Sequence, residues 1–201
     1  MLPYDPLRPT WEINMKTSIS IGVKKVSKYA ELPEYGTEQS ACFDLKACLI
    51  EEYDKDKYIT LLRKIKIYDT NNDKPDSNNL NLLDPNEPFG YVILPGHRYL
   101  IPTGLIFDIP EGYSIRLHPR SGSALKFGIT LGNAEGVIDS CYTQETFVMI
   151  QNTSGVPYTI KHGDRICQGE LVKKQDISFV EVDAVDKETD RIGGFGSTGI
   201  R

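Results

Sequence analysis

Apolar and polar residues alternate along several short segments of this chain, which is the pattern of half-buried β-strands. In the first segment, Ile19, Ile21 and Val23 share one face, while serine and glycine occupy the other. The same reasoning predicts strands at 61–68, 91–94, 99–104, 105–109, 113–117, 146–151, 158–161 and 177–182. Turn residues separate these segments, and no amphipathic helix pattern of about 12 residues occurs. The chain is therefore predicted to be all-β, as a sandwich or barrel.

Anion-binding chemistry is concentrated just after the segment 113–117. Arg120 and Ser121 precede a short run of good helix formers, and Gly122 lets the backbone come close to a ligand. Ser121 is predicted to cap the N-terminus of this helix, with the exposed N–H groups behind it forming an anion site.

A carboxylate and an aromatic ring follow at the end of the same stretch. Gly136, Val137 and Ile138 form an apolar run that ends at Asp139, and Tyr142 lies three residues further on. This order is typical of a strand that enters a tight turn. We therefore expect Asp139 to lie at the rim of a pocket.

Length and composition restrict the class of protein. A chain of 201 residues, 39% hydrophobic and 25% charged, fits one globular domain. The net charge of −5 argues against nonspecific nucleic-acid binding, because a phosphate backbone is usually met by a basic excess. No apolar run approaches the ~18 residues of a membrane span, and no signal peptide opens the chain. We therefore expect a cytoplasmic location, in the host cytoplasm if the source is viral.

The cysteines carry information about the compartment. Cys42, Cys48, Cys141 and Cys167 include no Cys-x-x-Cys pair. This spacing argues against a zinc site, and it favours a reducing compartment over a disulfide framework.

Composition also divides the chain into parts. Residues 1–17 form an N-terminal extension, 18–185 the β domain, and 186–201 a flexible glycine-rich arm. Within the domain, 51–90 is polar and rich in Asn, Asp and Pro around the strand at 61–68. This composition predicts an insertion with a long surface loop, or a hairpin with a flexible tip. Such an insertion is either a tolerated surface elaboration or a site for a protein partner.

Five short motifs occur in order along the chain. They are Ser40-Ala41-Cys42-Phe43-Asp44-Leu45, Pro119-Arg120-Ser121-Gly122-Ser123, Gly132-Asn133 with Gly136-Val137-Ile138-Asp139-Ser140-Cys141-Tyr142, Gly163-Asp164-Arg165-Ile166-Cys167-Gln168, and Gly193-Gly194-Phe195-Gly196-Ser197-Thr198-Gly199. In these motifs the chain resembles the trimeric dUTP pyrophosphatases, the dUTPase family, over most of its length from about residue 19. The resemblance implies a jelly-roll fold and a homotrimer whose sites are shared between subunits. It also implies Mg²⁺-dependent hydrolysis of dUTP to dUMP and pyrophosphate, which prevents uracil incorporation into DNA and supplies dUMP for thymidylate synthesis.

The resemblance further implies roles for individual residues. Asp139 is expected to be the general base for the attacking water, and Asp44 to act through water on Mg²⁺ held mainly by the triphosphate. The expected phosphate-binding residues are Arg120, Ser121, Gly122, Gln168, Arg191, Ser197 and Thr198. The expected uracil and deoxyribose contacts are Asn133, Gly136, Val137, Ile138, Tyr142 and Phe195. Arg165 is expected to serve an ion pair between subunits.

The chain departs from the family pattern at three places. Cys42 stands where glycine is usual, and Cys141 where a second acid or similar polar residue is usual, followed by Thr143-Gln144 in place of arginine and glycine. Arg191 also precedes the glycine-rich motif by one residue fewer than is common.

Two other functions remain open at this point. A dCTP deaminase shares this fold and uses a glutamate, and Glu145 lies close to where such an acid is needed, so a deaminase or a bifunctional deaminase and dUTPase stays open. A nucleotide-gated binding protein would instead use the insertion at 51–90 to engage a partner, since fold alone does not determine function.

Overall fold

The computed structural model describes residues 18–54, 59–63, 66–69, 83–84 and 87–189. These residues form sixteen strands and one helix. The strands are β1 (Gly22–Lys25), β2 (Glu34–Tyr35), β3 (Phe43–Lys46), β4 (Ile50–Asp54), β5 (Ile59–Leu62), β6 (Lys66–Asp69), β7 (Leu83–Asp84), β8 (Glu87–Ile93), β9 (His97–Pro102), β10 (Leu105–Asp108), β11 (Tyr113–His118), β12 (Ile129–Leu131), β13 (Gly136–Asp139), β14 (Phe147–Asn152), β15 (Tyr158–Lys161) and β16 (Arg165–Lys173). The helix α1 spans Ser121–Phe127.

Two antiparallel sheets form the body of the fold. One has the strand order β13-β11-β16-β3-β2, and the other has the order β12-β14-β9-β6. Both contribute to a single buried apolar cluster, the first sheet through Leu45 and Ile115 and the second through Ile101, Val148 and Ile150. Smaller sheets pair β1 with β10 and β4 with β5, and a third has the order β15-β8-β7. The prediction of an all-β fold is confirmed.

Strand β11 shows how the sequence pattern produces this arrangement. Ile115 and Leu117 are buried in the core, whereas Arg116 and His118, which alternate with them, stay partly exposed. Successive side chains on a strand point to opposite faces. The first sheet therefore has an apolar inner face and an outer face that carries charged groups.

The outer face is organised by the register of three neighbouring strands. His118 on β11 pairs with Gln168 on β16, and Gln168 pairs with Asp44 on β3. Residues directly opposite one another in an antiparallel ladder lie on the same face. We call Asp44, Gln168 and His118 the outer row.

The short helix α1 begins one residue earlier than the sequence indicates. Arg120 occupies the N-cap position with extended backbone angles of φ −85° and ψ 125°, and no side chain caps the helix. The prediction that Ser121 is the N-cap is therefore wrong, because Ser121 already has helical geometry as the first residue of α1. The helix ends at Gly128, whose left-handed φ of 66° favours glycine. No helix in the described part of the chain is long and apolar enough to cross a membrane.

Several predicted strands have different bounds, and one is absent. The first strand begins at Gly22 rather than at Ile19. The segment 61–68 contributes to two strands, β5 and β6, which belong to different sheets. The segment 177–182 is not a strand, and its side chains Ile177, Phe179 and Val180 are 71%, 91% and 77% exposed. The alternation of apolar and polar residues predicted a strand there, but this segment pairs with no strand among the described residues.

The insertion at 51–90 is joined to the β domain by backbone pairing in its described parts. Strands β4 and β5 pair in antiparallel fashion, which agrees with the hairpin that the sequence left open. Strand β6 then pairs with β9 at the edge of the second sheet. The long loop predicted within the insertion falls largely on 70–82, outside the described residues.

Gly169 is needed for close packing between β16 and β3. A Cβ atom at this position would lie 2.3 Å from Cε2 of Phe43, which is itself buried in the core. We expect Gly169→Ala to force Phe43 out of place and to lower the free energy of unfolding by about 1–3 kcal/mol. Urea denaturation at one protein concentration measures this change.

The matched control is Gly155→Ala, because a Cβ at Gly155 would meet no atom within 4 Å. Its stability should stay within about 0.5 kcal/mol of the wild type. Equal stability of the two variants would contradict the packing argument.

Candidate active site

A cavity of about 410 Å³ is lined by residues of strands β12, β13 and β14 and of the loops that follow β12 and β13. Its volume lies in the range of small-molecule pockets. Aliphatic side chains from β9, β11 and β14 form much of its wall. The remaining lining includes all the base and sugar contacts expected from the sequence within the described residues, namely Asn133, Gly136, Val137, Ile138 and Tyr142. The structure therefore brings these five predicted residues together around one cavity.

The turn between β12 and β13 presents Asn133 to this cavity. The N–H of Gly132 donates to the carbonyl of Met149 at 2.9 Å, which ties the turn to β14. Ala134 adopts a φ of 60°, a left-handed conformation that is uncommon outside glycine. Among the described residues, none bonds to the side-chain amide of Asn133, so this amide is available to a ligand.

Tyr142 is fixed at the cavity by two hydrogen bonds. Its N–H donates to the carbonyl of Asp139 at 3.0 Å and closes the turn after β13. Its hydroxyl donates to the carbonyl of Glu145 at 2.9 Å. The ring is 41% exposed and contributes to the cavity wall. A ligand in the cavity would therefore meet a ring whose position is already set.

The Glu145 carboxylate is fully engaged by neighbouring groups. Nη1 and Nη2 of Arg63, in the insertion, donate to its two oxygens at 2.6 and 2.5 Å. The N–H of Gly104 donates to the same carboxylate at 2.7 Å. The hydrogen bonds from Glu145 raise the pKa of the Arg63 guanidinium. A carboxylate held in this way is a structural anchor for the insertion and is poorly placed to act as the acid of a deaminase.

Asp139 ends strand β13, as the sequence predicted, and lies at the tight turn that follows. Its side chain is exposed. It lies on the outer face of the first sheet, since it pairs with Ser114 on β11. Its carboxylate makes no hydrogen bond or ion pair with any described residue. The carboxylate is therefore free to bind water or a ligand.

A second cluster of charged residues surrounds Asp44. The Asp44 side chain is only 8% exposed. Nε of Arg120 donates to one carboxylate oxygen at 3.1 Å, and Nη1 of Arg165 donates to the other at 3.1 Å. Arg165, expected to pair between subunits, thus pairs within its own chain. Two guanidinium groups against one carboxylate leave this cluster with a net positive charge, which suits an anionic ligand.

The other expected phosphate-binding residues lie next to this cluster. Gln168 adjoins Asp44 in the outer row. Ser121 follows Arg120 directly and is exposed. A Cβ placed on Gly122 would meet no atom within 4 Å, so the space above this backbone is open. Arg120, Ser121, Gly122, Gln168 and Asp44 therefore belong to one region of the surface.

One chain does not bring Asp139 close to the Asp44 cluster. Three strand spacings of about 4.8 Å separate β13 from β3, and four residues of about 3.4 Å separate the Ser114 and His118 positions on β11. Asp139 and Asp44 are therefore about 20 Å apart along the sheet. The remaining expected residues, Arg191, Phe195, Ser197 and Thr198, lie outside the described residues.

Comparison with known proteins shows the family of this chain. A sequence model of the dUTPase family matches residues 83–199, more than half of the chain. The chain therefore belongs to the dUTPase family. Among its relatives, the deoxyuridine 5'-triphosphate nucleotidohydrolase of Finegoldia magna is 54% identical over 109 residues, which cover 54% of this chain and 76% of the relative. The enzyme of the same name from Caulobacter vibrioides is 43% identical over 109 residues, covering 54% and 70%.

Solved structures of dUTPases share the fold. A variant of the Staphylococcus bacteriophage 80alpha dUTPase with dUpNHpp has a TM-score of 0.64 at 20% identity, covering 91% of this chain and all of that one. A variant dUTPase from phage phi11 of S. aureus, which coordinates a structural Mg(II) ion, has a TM-score of 0.58 at 18% identity, covering 84% of this chain and 100% of that one. The similarity in fold to these dUTPases therefore extends beyond the matched residues 83–199.

The anchoring role of Glu145 can be measured by removing its charge. We expect Glu145→Gln to lower the free energy of unfolding by about 1–3 kcal/mol, because Arg63 would be left largely buried beside a neutral amide. Urea denaturation checks this value. The control Glu111→Gln, at an exposed turn, should change stability by less than about 0.5 kcal/mol. A Glu145 variant as stable as this control would rule out the anchor.

Proposed function

We propose that this protein hydrolyses dUTP to dUMP and pyrophosphate by attack of water on the α-phosphorus. The supporting observation is the cavity that gathers Asn133, Gly136, Val137, Ile138 and Tyr142. Membership of the dUTPase family and the activity named for its relatives support the same reaction.

Selection of uracil and deoxyribose is proposed to depend on the segment from Asn133 to Tyr142. The amide of Asn133 and backbone groups of this segment would pair with the edge of uracil. A donor meant for uracil O4 would face the amino group of cytosine, and sites built on hydrogen bonds reject such a substitution by as much as ~10⁴–10⁵. The N–H and the hydroxyl of Tyr142 donate to the carbonyls of Asp139 and Glu145. The ring fixed in this way would lie against the sugar and exclude a 2′-hydroxyl.

The triphosphate is proposed to bind at the Asp44 cluster. Arg120 can make a two-pronged contact with phosphate, and Ser121, Gly122 and Gln168 would supply further donors. In the arm outside the described residues, Arg191, Ser197 and Thr198 would reach the terminal phosphate, and Phe195 would stack on the uracil.

The residues around Asp44 fit magnesium bound mainly by the triphosphate. An ionised carboxylate has about four lone-pair sites, and the two arginines use one on each oxygen of Asp44. The remaining lone pairs of the carboxylate are available to metal-bound water, so Asp44 would hold Mg²⁺ through water. Bound Mg²⁺ would neutralise the charge that develops on the phosphates.

Asp139 is proposed as the general base. Its carboxylate is exposed and unpaired within the described residues, so it can orient a water molecule and accept its proton. General bases of this kind contribute roughly 10²–10⁴ to the rate.

Each site is proposed to lie between chains of a homotrimer. A triphosphate held at the Asp44 cluster cannot reach Asp139 of the same chain across about 20 Å of sheet, so Asp139 must come from another copy. Exposed apolar side chains on the segment 177–185, including Phe179 at 91% and Val180 at 77%, support burial of this segment against a neighbour.

We place this activity in the cytoplasm, or in the host cytoplasm if the source is viral, where it would limit uracil in DNA and supply dUMP. The four cysteines are free thiols, which suits a reducing compartment.

The reaction is tested with purified protein, Mg²⁺ and four separate nucleotides: dUTP, dCTP, dTTP and UTP. We expect dUMP and pyrophosphate from dUTP alone, and Asp139→Asn should lower kcat about 10²–10⁴-fold because the base is lost. Chromatography of the products measures both. The control Asp108→Asn, also an exposed aspartate at a strand end, should retain its rate. Consumption of dCTP, or an unaffected Asp139→Asn, would contradict the proposal.

Sharing of the site is tested by mixing two inactive variants. In trimers formed from equal amounts of Asp139→Asn and Arg120→Gln chains, about one site in four combines an intact Arg120 with an intact Asp139 from its neighbour. We therefore expect recovery of about a quarter of the wild-type activity. Native mass spectrometry confirms mixed trimers. Trimers that are mixed but inactive would place both residues in one chain's site.

A further inference from the structure

Three potential metal ligands meet on the outer face of the first sheet. Cys42, His118 and Glu170 come from three neighbouring strands or their ends, and each offers one ligand atom within 4.8 Å of the others. Their proximity follows from the register. Glu170 lies two residues beyond Gln168 on β16, and Cys42 immediately precedes Phe43, the partner of Gly169.

The imidazole of His118 is arranged as a ligand. Its Nε2 is shielded from solvent and has no hydrogen-bond partner among the described residues. The same atom lies 3.4 Å from Oε2 of Glu170. A buried polar atom without a partner requires an explanation, and coordination of a cation would satisfy it.

Surrounding charges support this arrangement. On the other side of the ring, Nδ1 of His118 lies 3.8 Å from Oε1 of Glu135. A carboxylate on the second nitrogen is the usual support of a metal-bound histidine. The nearby cation Arg116 forms an ion pair with Glu135, with 3.2 Å between its Nη1 and Oε2 of the glutamate. In the described part of the chain, it makes no ion pair with Glu170.

We propose that Cys42, His118 and Glu170 bind a divalent cation of the zinc type. Sulfur, nitrogen and carboxylate donors together suit Zn²⁺, whereas Mg²⁺ prefers oxygen alone. Zinc bonds of about 2.0–2.3 Å in tetrahedral geometry require ligand atoms roughly 3.3–3.8 Å apart. Nε2 of His118 and Oε2 of Glu170 already meet this spacing at 3.4 Å, and all three ligand atoms lie within 4.8 Å of one another. Three protein ligands leave the fourth position for water.

The cation site adjoins the residues to which we assign phosphate binding. Cys42 is two residues from Asp44, His118 two from Arg120, and Glu170 two from Gln168. A bound cation would link the same three strands that position those residues. Binding itself does not depend on the proposed function, so it can fail or succeed independently of dUTP hydrolysis.

The experiment uses the full chain after removal of metals, titrated with Zn²⁺ by calorimetry and with Co²⁺ by absorption spectroscopy. We expect one Zn²⁺ per chain and a thiolate-to-cobalt charge-transfer band. Cys42→Ser should abolish this band, and Cys42→Ser and Glu170→Gln should each weaken Zn²⁺ binding by more than about 100-fold, which exceeds the typical effect of losing a supporting residue. Millimolar Mg²⁺ should not displace the zinc.

The matched control is Cys141→Ser, because Cys141 is an exposed thiol away from the cluster. It should retain both the band and the affinity. Unfolding midpoints of all metal-free variants are compared, so that loss of binding is scored only in folded protein. Undiminished binding by Cys42→Ser, loss of the band in Cys141→Ser, or absence of Zn²⁺ binding by the wild type would overturn the proposal.

Discussion

The pairing register of β11, β16 and β3 is the constraint on which the rest of the structure depends. It directs Ile115 and Leu117 into the core and aligns His118, Gln168 and Asp44 on the opposite face. A shift of one residue would exchange the two faces of a strand. Burial of the apolar set therefore also determines which polar residues meet on the outside.

The outer face shows how a chain with a net charge of −5 can carry a local cluster of positive charge. Asp44 holds two guanidinium groups in place while neutralising only one of them. The remaining charge is local, because screening limits the reach of surface charges to about 10 Å. The acidic balance of the whole chain and a positive site are thus compatible.

Much of the fold and part of the cavity lining were predictable, because strands and turns leave local patterns. Alternation identified β11 and β14, and the order of residues around Asp139 identified a strand followed by a turn. The failures have physical causes. The N-cap is Arg120 and not Ser121, because Arg120 still has extended backbone angles after strand β11 and the helix begins at Ser121. Helix boundaries are uncertain by one or two residues when they are judged from sequence. The segment 177–182 alternates like a strand, yet pairing needs a partner that no local pattern supplies.

Sequence by itself determined the class of fold, the family motifs and the cavity-lining residues of the segment 133–142, since each depends on neighbours within a few positions. Only the tertiary structure decided that Glu145 is bound by Arg63, that Arg165 pairs with Asp44, and that Asp139 lies far from both. It alone brought Cys42, His118 and Glu170 together, although more than 50 residues separate each from the next. Such contacts depend on strand register across the sheet, which is set by packing of the whole core and not by local sequence.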